Sequence, residues 1–178
     1  MLLFGNLSKN HCNFTFHNEG VGMADPIKNS DISPEKPLDV CARRIIIRYF
    51  HEMMSHKEGA SDGSNIEFVH DMRVASRRLR AAMDNFAVCF EPEQFKKLYK
   101  QVKIITQTMG TVRDLDVLIR RFRTEMALMP IAEQKDIESL IEHLQEKRIV
   151  ERKPMIDLFK SLDDSKFEND FLKFFEVV

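Results

Sequence analysis

Ser64-Asn65-Ile66-Glu67-Phe68-Val69-His70-Asp71-Met72-Arg73-Val74-Ala75-Ser76-Arg77-Arg78-Leu79-Arg80-Ala81-Ala82-Met83-Asp84-Asn85-Phe86 reads as one amphipathic helix. Met72, Ala75, Leu79, Met83, Phe86 and, just beyond, Phe90 follow at three- and four-residue steps, which stacks them on one face. Ser64 and Glu67 have the spacing of a capping box. In that motif the serine hydroxyl accepts from the amide three residues on, and the glutamate carboxylate returns to the serine amide. Glu91-Pro92 closes the segment, because proline pushes the residue before it out of helical backbone.

Upstream, Pro37 suits an opening turn, and Leu38, Cys41, Ala42, Ile45, Tyr49 and Met53 then recur at helical spacing. Gly59-Ala60-Ser61-Asp62-Gly63 predicts a flexible loop after this first helix. Downstream, Pro92 opens a third helix that carries Phe95, Leu98, Val102, Ile105, Met109, Val112, Leu115, Leu118, Phe122 and Met126. Gly110 within it marks either a close helix approach or a kink. Pro130 starts a fourth helix with Ile137, Leu140, Ile141, Leu144, Ile149 and Phe159, and a bend is expected at Pro154. Ser165-Lys166-Phe167-Glu168 is a second capping box, opening a short helix with Phe171, Leu172, Phe174 and Phe175. No stretch alternates as a strand does. The expectation is an all-α fold, an antiparallel four-helix bundle with a short C-terminal helix.

Residues 1–36 lack periodicity and predict a disordered arm, with residues 37–178 forming the folded domain. Met23-Ala24-Asp25-Pro26 looks like an ordinary protein start, so translation is expected to begin at Met23. The 178 residues, 43% of them hydrophobic, suffice for a single domain with a real core. Only six glycines and six prolines favour long helices over a many-turned β fold. A formal net charge of −1 means that any polyanion binding must come from local crowding of charge. Cys12, Cys41 and Cys89 lie far apart without metal or redox spacing, as small hydrophobes do in a reducing compartment; a cytoplasmic location is expected. No apolar run approaches the roughly 20 residues that span a bilayer.

The opening helix crowds four arginines and a histidine into residues 70–80. At about 100° per residue, His70, Arg73, Arg77 and Arg80 fall within an arc of roughly 80° beside the apolar stripe, and Arg78 projects elsewhere. Arginine suits phosphate because its planar fork donates paired hydrogen bonds and keeps its charge. Asp71 and Asp84 alone are close enough in sequence to compensate, so the row implies an anionic partner from this chain or from outside. The plainer alternative is a solvated face paired to acids on neighbouring helices. His70 taken alone reads as a structural histidine, and nothing at ligand spacing supports a metal.

A second cluster lies in Thr111-Val112-Arg113-Asp114-Leu115-Asp116-Val117-Leu118. Arg113 and Arg120 share a face, with Asp116 between them and spaced to hold both side chains ready for an anion. An ordinary intrahelical ion-pair ladder is the alternative. Arg121 and Arg123 point elsewhere.

His70-x-x-Arg73-Val74-x-x-Arg77-Arg78-Leu79-Arg80 followed by Met109-Gly110-x-Val112-Arg113-Asp114-Leu115-Asp116-Val117 resembles the CHAD family, the conserved histidine α-helical domain. His70 matches the histidine of that name, and the likeness runs from about Leu38 to about Phe175. The resemblance implies two similar four-helix bundles about a pseudo-two-fold axis, with basic residues lining a channel that binds inorganic polyphosphate. It also implies targeting to polyphosphate granules, company with triphosphate hydrolases and no catalysis of its own. Carried over by position, the polyphosphate contacts are His70, Arg73, Arg77, Arg80 and Arg113, with Arg78 and Arg120 beside them. A second His/Arg helix is missing from this sequence, so it corresponds to the N-terminal half of such a domain. The half-domain is then either truncated or paired as a homodimer that rebuilds the channel. Its terminal phenylalanines would be exposed and in want of a partner.

The leading expectation is a non-catalytic polyphosphate-binding module without cofactor or metal, its many weak contacts adding along the polymer. A truncated or merely structural helical protein is the alternative, as is a binder of another phosphate ligand. Nucleic acid is disfavoured, since no aromatics interleave with the arginines and the chain is not basic. An enzyme is disfavoured too, for want of a nucleophile–base pair, a glycine-rich phosphate loop or clustered carboxylates.

Overall fold

Three prolines set where the long helices begin. Pro37 precedes α1 (Leu38–Ser55), Pro92 is the first residue of α4 (Pro92–Met126) and Pro130 precedes α5 (Ile131–Asp164). Its fixed φ and missing N–H cost nothing at such positions. The computed structural model describes residues 35–176, so the arm expected over residues 1–36 lies outside the described residues as far as residue 34. The remaining elements are α2 (Lys57–Asp62), α3 (Glu67–Phe86), a 3-10 turn over Ala87–Cys89 and α6 (Phe167–Phe175). Among the described residues the fold is all-helical, without a strand.

Helix starts depart from the expected capping boxes. Before α3, the Asn65 Oδ1 accepts from the Glu67 amide at 2.9 Å, while the Ser64 amide donates to Asp62. The helix begins two residues later than the box requires, with Ile66 as its N-cap, and the Glu67 carboxylate reaches another helix instead. Before α6, the Ser165 hydroxyl accepts from the Phe167 amide at 3.2 Å, only two residues on. The best cap is Glu91, whose carboxylate accepts from the Gln94 and Glu93 amides at 2.9 and 2.8 Å. Those amides hold its carboxyl below the usual carboxylate range.

The expected loop at Gly59–Gly63 is helical as far as Asp62. Tertiary packing overrides its weak helix propensity: Ala60 is fully buried, and a Cβ at Gly59 would overlap the Phe68 ring. Gly63 ends α2 in left-handed backbone at φ 74°, as helix-terminating glycines do. Arg152 of α5 caps the same end, donating to the Ser61 carbonyl at 2.9 Å and the Ala60 carbonyl at 3.4 Å. Burial and then the neighbouring Arg148 lower the pKa of its guanidinium.

The core sits among α1, α3, the first half of α4, the end of α5 around Met155, Phe159 and Leu162, and α6. Met72, Leu79 and Met83 of α3 meet Ile46, Phe50 and Met53 of α1 and Val102, Ile105 and Met109 of α4, all fully buried. Of the terminal phenylalanines expected at the surface, Phe171 and Phe175 are fully buried and Phe174 is half-buried. Phe171 stacks on Phe50 at 4.0 Å, and Phe175 packs edge-on to Phe90 at 5.0 Å. Burying the aromatic face of a nine-residue helix supplies the stability that so short a helix lacks alone. Beyond this core α4 and α5 run on as a hairpin, with Leu128 and Ile131 exposed at its tip. A Cβ added at Gly110 would meet no other element within 4 Å among the described residues, so no close helix approach accounts for this glycine, and α5 continues as helix through Pro154.

Candidate anion-binding site

The position of each arginine around α3 decides which neighbour it meets. Arg78 lies on the α1 side and donates to Glu52 at 2.9 Å. Arg80 lies on the α4 side, its guanidinium over the Tyr99 ring at 5.7 Å and donating to the phenolic oxygen at 3.4 Å. The Tyr99 hydroxyl in turn donates to Asp84 at 3.2 Å, so the tyrosine fixes Arg80 and keeps the carboxylate one group away. At the other end of the same seam Arg120 of α4 pairs with Glu67 of α3. These two rungs show that α3 and α4 run in opposite senses, and Arg73 and Arg113 fall between them.

Arg73, Arg77 and Arg113 form no side-chain hydrogen bond or ion pair among the described residues. The Arg73 Nε, Arg80 Nε and Arg113 Nη1 are all enclosed without an acceptor. An enclosed donor left unbonded costs about 1–3 kcal/mol, more for a charged group. Three such groups lie along the α3–α4 seam. His70 sits half-buried beside Arg73 on α3, and Arg77 stands exposed on the outer edge.

Asp116 does not play its expected part. It faces α5 and accepts from Arg148, with 1% of its side chain exposed against 14% for the arginine. Spacing along α4 placed it within reach of Arg113 and Arg120, but a carboxylate buried against another helix is taken by that helix's cation. Arg113 is thereby left without a carboxylate, and Arg120 finds one in Glu67. Arg121 pairs along its own helix with Glu125 at 2.8 Å.

The structure therefore brings Arg73, Arg80 and Arg113 to one seam, with Arg77 and His70 adjoining it. Arg78 is turned away to Glu52, and Arg120 is occupied at the seam's end. Tyr99 and Arg148 went unread as site-shaping residues. Tyr99 follows Arg80 across a turn, a pairing of aromatic and arginine visible only once the two helices fold back.

Among the described residues no group of three or more His, Cys, Asp or Glu side chains is placed to hold a metal ion. No helix among them is long and apolar enough to cross a membrane. No curated protein matches the chain. The CHAD domain matches residues 44–176, a span that takes in both arginine clusters and every element from within α1 to α6. The chain belongs to the CHAD domain family.

Proposed function

We propose that this protein is a non-catalytic module that binds inorganic polyphosphate along the α3–α4 seam. Arg73, Arg77, Arg80 and Arg113 are the principal contacts, with His70 beside them. One observation carries the reading: Arg73, Arg80 and Arg113 each keep an enclosed guanidinium nitrogen without a protein acceptor on the same seam. Phosphate oxygens accept well from arginine forks, and a polymer offers them at regular intervals. Arg78 and Arg120 join only when phosphate displaces Glu52 and Glu67. Membership of the CHAD family, associated with polyphosphate, supports the same ligand. The same proposal takes α1, α3, α4 and α5 as an antiparallel four-helix bundle, one half of a two-bundle domain. The opposed order of the Glu52–Arg78 and Arg43–Phe90 contacts, and of the rungs between α3 and α4, supports it.

Long-chain polyphosphate titrated calorimetrically into the wild type and into R73A/R113A tests the reading. Two charge-assisted hydrogen bonds at about 1.5–3 kcal/mol each correspond to a loss of roughly a hundredfold or more. The slope of log affinity against log salt should flatten by about 0.7 for each contact removed. Unchanged affinity in a helical double mutant refutes the seam as the site. Tighter binding of DNA than of polyphosphate refutes the ligand.

A further inference from the structure

A second cleft, of about 540 Å³, opens between α4 and α5, with Ile66 also in its lining. It differs from the α3–α4 seam in mixing cationic and apolar lining. Arg120, Arg123 and Arg148 are its lining cations, against a single lining carboxylate, Asp116. Even with Glu67 counted at the rim, where it holds Arg120, the cleft remains positive. Arg123 makes no side-chain hydrogen bond among the described residues. Arg148 gives its Nε to Asp116 and has Nη2 enclosed, which leaves Nη1 for a ligand. Ile66, Ile119 and Ile149 add apolar lining beside these cations, with Ile149 62% exposed. Gln145 adds an amide that makes no side-chain hydrogen bond among the described residues.

A lone phosphate would fill only a small part of this space and leave Ile149 wet. Clefts of roughly 300–1,000 Å³ with apolar walls and a few convergent polar groups hold small organic ligands. We infer that this cleft binds an organic phosphate of nucleotide size. Its phosphates lie on Arg123 and Arg148, and its carbon body covers Ile66, Ile119 and Ile149. The inference does not rest on polyphosphate binding, because the two sites share only Arg120 at their boundary.

The test is calorimetry on the full chain with ADP, pyrophosphate and adenosine as probes, for the wild type, R123A, Ile149→Ser and R73A/R113A. ADP should bind at least tenfold tighter than either fragment. R123A, an exposed change, should weaken ADP about tenfold, while Ile149→Ser should weaken ADP and leave pyrophosphate unchanged. R73A/R113A should keep ADP affinity while losing long-chain polyphosphate. ADP binding no tighter than pyrophosphate, or insensitive to R123A, overturns the inference. Loss of ADP binding in R73A/R113A also overturns it, by placing the nucleotide in the seam. A wild type that binds ADP but not long-chain polyphosphate upholds this cleft and refutes the proposed function.

Discussion

The two flanks of α3 carry the same residue type to opposite ends. Arg78 and Arg80 are two positions apart, yet α1 meets the first with Glu52, whereas α4 meets the second with the ring and hydroxyl of Tyr99. On the α1 flank a carboxylate cancels the charge. On the α4 flank the neighbour brings Arg113, a further cation, to the same seam as Arg73. That repulsion is tolerated because Met72 and Leu79 pack against Val102, Ile105 and Met109 beneath it. Apolar burial at about 25 cal/mol per Å² holds the cations close. Arginine density along a helix is thus a poor guide to binding, and the partner helix decides.

The largest expected effect tests the neutralised class at its most buried member. Asp116→Ala leaves Arg148 enclosed without its counter-charge and should lower stability in urea by about 3–5 kcal/mol. Replacing both, as Asp116→Leu with Arg148→Met, should recover most of that loss. An Asp116→Ala protein as stable as the wild type shows that a neighbour's carboxylate is not what fixes these side chains, and the contrast between flanks fails. Next in size is the contrast itself. R78A/R120A removes two arginines that already have carboxylates, so polyphosphate affinity should fall less than tenfold, against roughly a hundredfold for R73A/R113A. Equal losses in the two double mutants would erase the distinction.

Much of the fold was legible because prolines and apolar steps are local signals. Pro37, Pro92 and Pro130 stand at helix starts, and the faces of α3 and α4 read from Met72 to Val112 are buried. The loop assigned to Gly59–Gly63 failed because glycine also permits close packing, here of the Phe68 ring on Gly59. The terminal phenylalanines were misplaced for a related reason: their partners Phe50 and Phe90 lie far away along the chain. At the site, the row from His70 to Arg80 was readable as a ridge. Which arginines stay unneutralised was not, since Glu52 reaches Arg78 from α1, Glu67 reaches across from α3 to Arg120, and Arg148 of α5 takes Asp116. Spacing along α4 suggested that Asp116 would serve Arg113 and Arg120, and only the placement of α5 shows otherwise.

The smallest effect sharpens the comparison most, because it moves one arginine from the paired class to the open one. Glu67 and Arg120 are about half exposed, at 44% and 50%, so their bond to one another is worth about 0.2–1 kcal/mol after solvent screening. Glu67→Gln keeps the shape and removes the charge, leaving Arg120 free at the end of a seam that already holds Arg73, Arg80 and Arg113. Polyphosphate affinity should rise about twofold to fivefold, since a phosphate no longer has to displace a carboxylate. Stability without ligand should change by less than about 1 kcal/mol. The combination with R120A decides between causes. In Glu67→Gln/R120A the gain should vanish if freeing that guanidinium produced it, whereas a gain that persists would mean that Glu67 acted only by repelling the polymer at a distance. In that case neutralisation of individual arginines is not what separates the two flanks of α3.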